Sequence, residues 1–178
     1  MLQCSIGAGY ASDRINKKNY MGAQDMSGDA ITQAAGSAPG NAYYFDELKV
    51  GQVAQYVREV TDADIKAFAE VSGDHNPVHL DEAFAAEHTP FGGCIAHGLL
   101  SASYISTVVG TILPGPGSIY INQSLKFRAP VRVGDVVTTE AEVMELIEKR
   151  GFVQFATRCL VNGKVVLEGE ATLMPPKR

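Results

Sequence analysis

The spacing of apolar positions changes several times along this chain, and each change predicts an element. Gln52–Val60 is a short strand-like run, introduced by Val50-Gly51. Thr61 then stands where a helix N-cap belongs, and Asp62 and Asp64 fall in the first turn, where the helix dipole favours negative charge. Ile65, Phe68 and Ala69 follow at i, i+3 and i+4, which gives one apolar face, and Gly73 suits the stop. The segment from Asp74 to Cys94 carries Pro77, Pro90 and Gly92-Gly93, so it predicts an irregular stretch with one helical turn at Asp81–Glu87. His97–Gly110 (HGLLSASYISTVVG) has no Asp, Glu, Lys or Arg and is small or apolar on every face, the mark of a buried helix.

Leu113–Gly117 (LPGPG) breaks the chain, and the period becomes two. In Ser118–Phe127, Ile119, Ile121, Leu125 and Phe127 share one face, while Tyr120, Asn122, Ser124 and Lys126 share the other. Further strands are predicted at Val136–Glu148, Phe152–Val161 and Lys164–Met174, with Asn162-Gly163 as a hairpin turn between the last two. Helices first and a run of strands afterwards argue an α+β class. An uncharged helix needs a surrounding sheet, and four or five long antiparallel strands curled round it satisfy both demands.

Composition narrows this picture. The 178 residues suit one domain, and 46% of them are hydrophobic, enough for a core. A net charge of −5 argues against nucleic acid or an anionic membrane as partner. No apolar run approaches the about 18 residues that span a bilayer. Cys4, Cys94 and Cys159 show no CxxC spacing, which predicts neither a disulfide framework, a metal site nor a dithiol, and suits a reducing cytoplasm. Residues 1–42 are rich in Gly, Ala, Ser, Asn and Asp, have no h-region of a secretory signal, and read as a flexible extension with a linker at Ala34–Asn41. The folded domain is expected over residues 43–178.

The candidate chemistry lies in Ser72–Leu80 (SGDHNPVHL). Asp74 and His79 are five positions apart, which on one helix would send them to different faces. Pro77 disfavours helix at Asn76, so the chain turns there, and Asn76 suits the turn by bonding nearby backbone. A carboxylate beside an imidazole forms an acid/base pair able to hold one water. Such a pair in a turn also serves as an ordinary cap, and His75 competes with His79 for the imidazole role. The second feature is Ala96-His97-Gly98 at the start of the buried helix. Helix N-termini present unpaired N–H groups, and Gly98 admits either a substrate oxygen or close packing. An acid/base pair next to a backbone anion site suits addition of water conjugate to a carbonyl.

Several segments together resemble the MaoC-like, (R)-specific enoyl-CoA hydratase family of polyhydroxyalkanoate-producing bacteria. They are FAEVSGDHNPVHLDEAFA (Phe68–Ala85), IAHGLLSAS (Ile95–Ser103), LPGPGSIYINQSLKFRAPVRVGD (Leu113–Asp135) and GEATL (Gly169–Leu173). The resemblance implies a hot-dog fold and reversible hydration of trans-2-enoyl-CoA to (R)-3-hydroxyacyl-CoA. By that resemblance Asp74 handles the α-carbon proton, His79 activates water, Asn76 lies between them, and Gly98 is the oxyanion glycine. Ser106 and His97 would meet substrate. Coenzyme A enters as part of the substrate, no metal or other cofactor is implied, and Lys126, Arg128 and Arg132 are candidates for its phosphates. The sequence departs from the family at Thr89–Cys94 (TPFGGC), with one extra residue. A hot-dog thioesterase remains an alternative, although it usually carries its acid on the central helix, and Leu99–Gly110 has none. So do dehydration of branched or carrier-protein acyl groups and a non-catalytic acyl-CoA-binding subunit, the last opposed by the presence of both Asp74 and His79. An open sheet edge implies a homodimer.

Overall fold

In the computed structural model, residues 31–34 (as backbone) and 41–178 are described. Cys4 and most of the expected linker lie outside them. A strand β1 (Ile31–Ala34) sits within the segment read as an extension and pairs parallel with β2 (Val53–Glu59). Three helical pieces follow, α1 (Asp62–Ser72), α2 (Pro77–Leu80) and α3 (Glu82–His88), then the long α4 (Gly98–Thr111). Four strands close the chain: β3 (Ile119–Phe127), β4 (Val136–Ile147), β5 (Phe152–Val161) and β6 (Lys164–Met174). The sheet runs β1-β2-β4-β5-β6-β3, antiparallel throughout except at β1. This is an α+β hot-dog arrangement, with the sheet curled round α4.

Alternation builds the inner wall. Val137, Thr139, Ala141 and Val143 of β4 point inward, as do Val153, Phe155, Thr157 and Cys159 of β5, all buried. Leu167, Ala171 and Leu173 of β6 continue the wall. Against it lies the stripe Leu100, Tyr104, Ile105, Val108 and Val109 of α4. Each large aliphatic side chain removed from water contributes about 1.5–3 kcal/mol, so this layer dominates stability.

Local chemistry sets the ends of α1. The Thr61 hydroxyl accepts the Asp64 N–H at 3.1 Å, and the Asp64 carboxylate accepts the Thr61 N–H at 3.0 Å, a capping box. Burial pushes the Asp64 carboxyl up, but the Thr61 hydroxyl and amide together with the Arg58 guanidinium outweigh it and hold it below its ordinary value. Gly73 closes the helix with φ 76, a left-handed conformation glycine adopts without strain. Asn162 (φ 50) and Gly163 (φ 74) make the expected two-residue turn between β5 and β6.

Two expectations change. The Asp74–Cys94 segment holds more helix than one turn. Pro77 opens α2, because a first-turn residue needs no N–H donor, and Asp81 caps α3 by accepting the Phe84 N–H at 3.0 Å. The simple two-residue period of β3 is broken by a bulge between Tyr120 and Asn122. Ile119, Ile121 and Phe127 stay 51%, 47% and 56% exposed, so this edge strand is not buried by its own chain.

Candidate active site

Two successive side-chain turns carry the chain from α1 into α2. The Asp74 N–H donates to the Ser72 hydroxyl at 3.2 Å, and the Asp74 carboxylate accepts the Asn76 N–H at 3.2 Å. Asn76 in turn accepts the Val78 N–H through its side-chain oxygen at 3.2 Å, capping α2. His79 therefore leaves α2 toward the same cavity as Asp74. Its Nδ1 lies 2.8 Å from the Ile95 carbonyl oxygen. A carbonyl only accepts, so Nδ1 carries a proton and donates it, and in the neutral ring Nε2 holds the lone pair a general base requires.

His97 caps α4 and is 2% exposed. Gly98, the first residue of α4, is next to it, and first-turn amides have no intrahelical acceptor. Asp74, His79, His97, Gly98, Phe91 and Phe127 all line one cavity of about 670 Å³. Gly98 also answers a packing demand: a Cβ built there would come 2.6 Å from the Phe127 ring, which is the close-packing reading of this glycine.

The structure brings together most of the residues picked from the sequence. Asn76 acts through the turn, and the cavity lining does not include it. Ser106 is exposed on α4 and lies outside the lining of the cavity. Ser101, one turn after Gly98, lines the cavity with a buried hydroxyl that has no partner among the described residues. Helical spacing from Gly98 is the signal in the sequence that could have found it. His75 faces away. Its two ring nitrogens meet Glu70 at 3.1 Å and the Gly73 carbonyl at 3.2 Å, and these contacts, Glu70 foremost, raise its pKa above the ordinary value.

Thiol chemistry finds no support among the described cysteines. Burial pushes Cys94 up and Cys159 up to about 11, so neither favours the thiolate. One ligand atom each of Asp74, His79 and His97 lies within 4.8 Å of the others. The two imidazole rings, however, stack at 3.8 Å with 31° between their planes. Stacked imidazoles beside a carboxylate also suit proton handling. Of the candidate phosphate cations, Arg128 pairs with Glu168, and Arg132 donates to the carbonyls of Phe91 and Cys94. Arg132 thus clamps the 89–94 loop, which Glu82 holds from the other side by accepting the Cys94 N–H at 2.8 Å. Lys126 forms no ion pair among the described residues.

Residues 46–164 match the MaoC like domain family. The chain belongs to that family. A MaoC-like relative named (R)-specific enoyl-CoA hydratase, from Rhodospirillum rubrum, is 53% identical over 136 residues, 76% of this chain and 94% of that protein. One named 3-hydroxybutyryl-CoA dehydratase, from Methylorubrum extorquens, is 52% identical over 135 residues, 76% of this chain and 85% of that one. Among solved structures, the (R)-hydratase from A. caviae involved in PHA biosynthesis superposes with a TM-score of 0.70 at 46% identity, covering 72% of this chain and 98% of that one. The MaoC-like match takes in β2 through β5, including the turn that carries Asp74, His79 on α2 and Gly98 at the start of α4.

Proposed function

We propose that this MaoC-like protein is an (R)-specific enoyl-CoA hydratase, converting trans-2-enoyl-CoA and water reversibly to (R)-3-hydroxyacyl-CoA. The observation that carries it is the Asp74 carboxylate and the His79 Nε2 lone pair sharing one cavity with the first amides of α4. A water held by the pair gives up a proton as its oxygen bonds to C3. The C2=C3 electrons shift toward the thioester oxygen, and the Gly98 amide meets the charge gathering there. The pair then returns one proton to C2, with Asp74 aimed at that carbon, and ends in its starting state. The names of the Rhodospirillum and Methylorubrum relatives support both the reaction and the coenzyme A thioester. Against a thioesterase stands α4, which contains neither Asp nor Glu.

Lys126, near the exposed end of β3 and in no ion pair among the described residues, suits a coenzyme A phosphate. The uncovered β3 edge, with Ile119 and Ile121 in water, supports a homodimer. Free thiols at Cys94 and Cys159 support a cytoplasmic setting. Among the described residues, no helix is long and apolar enough to cross a membrane. Supply of hydroxyacyl monomers for polyhydroxyalkanoate synthesis is supported by the description of the A. caviae structure.

The purified chain should consume enoyl-thioester absorbance near neutral pH across short acyl chains, yield the (R) product on chiral analysis, and weigh twice 19.0 kDa by light scattering. Release of free thiol without loss of the enoyl band would give the reaction to the thioesterase instead. A Gly98→Ala variant separates the two roles of that glycine. The Phe127 ring that a new Cβ would meet is 56% exposed and can swing into solvent, so the melting temperature should hold within a few degrees. The methyl group also displaces the substrate oxygen from the amides, and kcat should fall by about 10². A Gly98→Ala enzyme of normal kcat would remove the oxyanion role.

A further inference from the structure

His97 has no part in the acid/base chemistry above, yet it is the most enclosed polar group of the cavity. Its Nε2 lies 2.9 Å from the Asp74 carbonyl oxygen, so Nε2 carries the proton and donates it. Its Nδ1 is a bare lone pair with no partner among the described residues. The other tautomer would bury an unpaired N–H and release the Asp74 carbonyl at the same time, so one tautomer is selected. One face of the ring stacks on His79 at 3.8 Å, and Phe68 of α1 packs tilted beside it at 5.0 Å. Its main chain is the N-cap of α4, immediately before Gly98.

One side chain therefore touches α1, the Asp74 turn, α2 and the start of α4. These are the pieces that carry the carboxylate, the base and the oxyanion amide. Asp74 and the turn that bears it are exposed, so little burial fixes their place. The bond to the Asp74 carbonyl is the long-range tie that anchors this turn to α4. We infer that His97 is a positioning residue: as the Nε2–H tautomer it ties the Asp74 main chain to the start of α4 and backs the His79 ring, and it makes no bond to substrate.

The inference rests on the hydratase reading, and two variants with one spectrum test it. His97→Phe keeps an aromatic ring against His79 and loses the donor, while His97→Gln keeps an N–H near the Nε2 position and loses the ring. Displacement of a reacting group by about 1 Å costs up to about 10² in rate, so His97→Phe should lower kcat about 30- to 100-fold with KM within about threefold. His97→Gln should recover kcat to within about tenfold of the parent. A raised KM at unchanged kcat in His97→Phe would make His97 a substrate contact and overturn the inference, as would normal kinetics or a His97→Gln enzyme no better than His97→Phe. Nitrogen-15 spectra of the parent protein, labelled at histidine, are independent of activity and of any variant's folding. They should show His97 protonated at Nε2 alone, and a signal for Nδ1–H would overturn the inference by itself. If the parent hydrates no enoyl thioester, the hydratase reading fails separately, while the tautomer stands or falls on its spectrum.

Discussion

Asp74→Asn should leave a folded protein that hydrates crotonyl-CoA more slowly by a factor of about 10² or more. The substitution is nearly isosteric, and the side-chain oxygen that accepts the Asn76 N–H at 3.2 Å is kept, so the turn survives. Asp74 is exposed, and its loss of charge removes no buried pair. What disappears is the carboxylate to which the proposed mechanism gives the C2 proton. His79→Gln should cost a similar factor for a different reason. A glutamine amide can still donate to the Ile95 carbonyl, but it has no basic nitrogen to leave facing the water. Because the two groups act on one water, the double variant should lose little beyond the worse single one. Loss of the enoyl absorbance, followed alongside circular dichroism, checks all three proteins. Near-parental rates in either single variant would end the assignment of the pair.

The second large effect belongs to stability. Gly169 lies in β6 opposite Leu125 of β3, in the GEATL stretch. A Cβ built at Gly169 would fall on the backbone carbonyl of Ser124, far inside contact distance. Backbone cannot rotate away as a side-chain tip can, so β3 must separate from β6 locally. The Glu170 N–H, which donates to the Ser124 hydroxyl at 3.1 Å, would be strained with it. Forcing a methyl group into such a contact costs about 3 kcal/mol. In a protein of this size that lowers Tm by roughly 10 °C, read by calorimetry. The contrast with Gly98→Ala is the instructive part. Both glycines lack room for a Cβ, but one neighbour is a swinging ring and the other is main chain. An unchanged Tm for Gly169→Ala would mean that β3 does not hold the register described.

Much of this was legible in the chain. Strand β5 alternates cleanly along its length, β4 and β6 do so over part of theirs, and Asn162-Gly163 announces its own turn conformation. The capping box at Thr61 and the stop at Gly73 are equally local signals. Less legible features depend on contacts between distant segments. The bulge in β3 answers the register of β6, and nothing in Ser118–Phe127 alone marks it. The short strand β1 forms by pairing with β2, and its own residues show no sustained period. At the site, Asp74, His79 and Gly98 stand out through residue type and neighbours. Ser106 was picked on the family pattern, and that Ser101 lines the cavity shows only once α4 is seated in the sheet. Arg132 looked like a free cation, and its work as a loop clamp depends on carbonyls 38 and 41 positions away.

Both imidazoles of the cavity are oriented by main-chain carbonyls, Ile95 for His79 and Asp74 for His97. A side-chain acceptor can be lost by a single codon change, but a carbonyl comes with every residue. The tautomers are thus insulated from drift at the positions that set them. Neighbouring wall residues such as Phe91, Leu99 and Phe127 line the same cavity without bonding either ring. Exchanging one of those side chains reshapes the wall and leaves both tautomers in place.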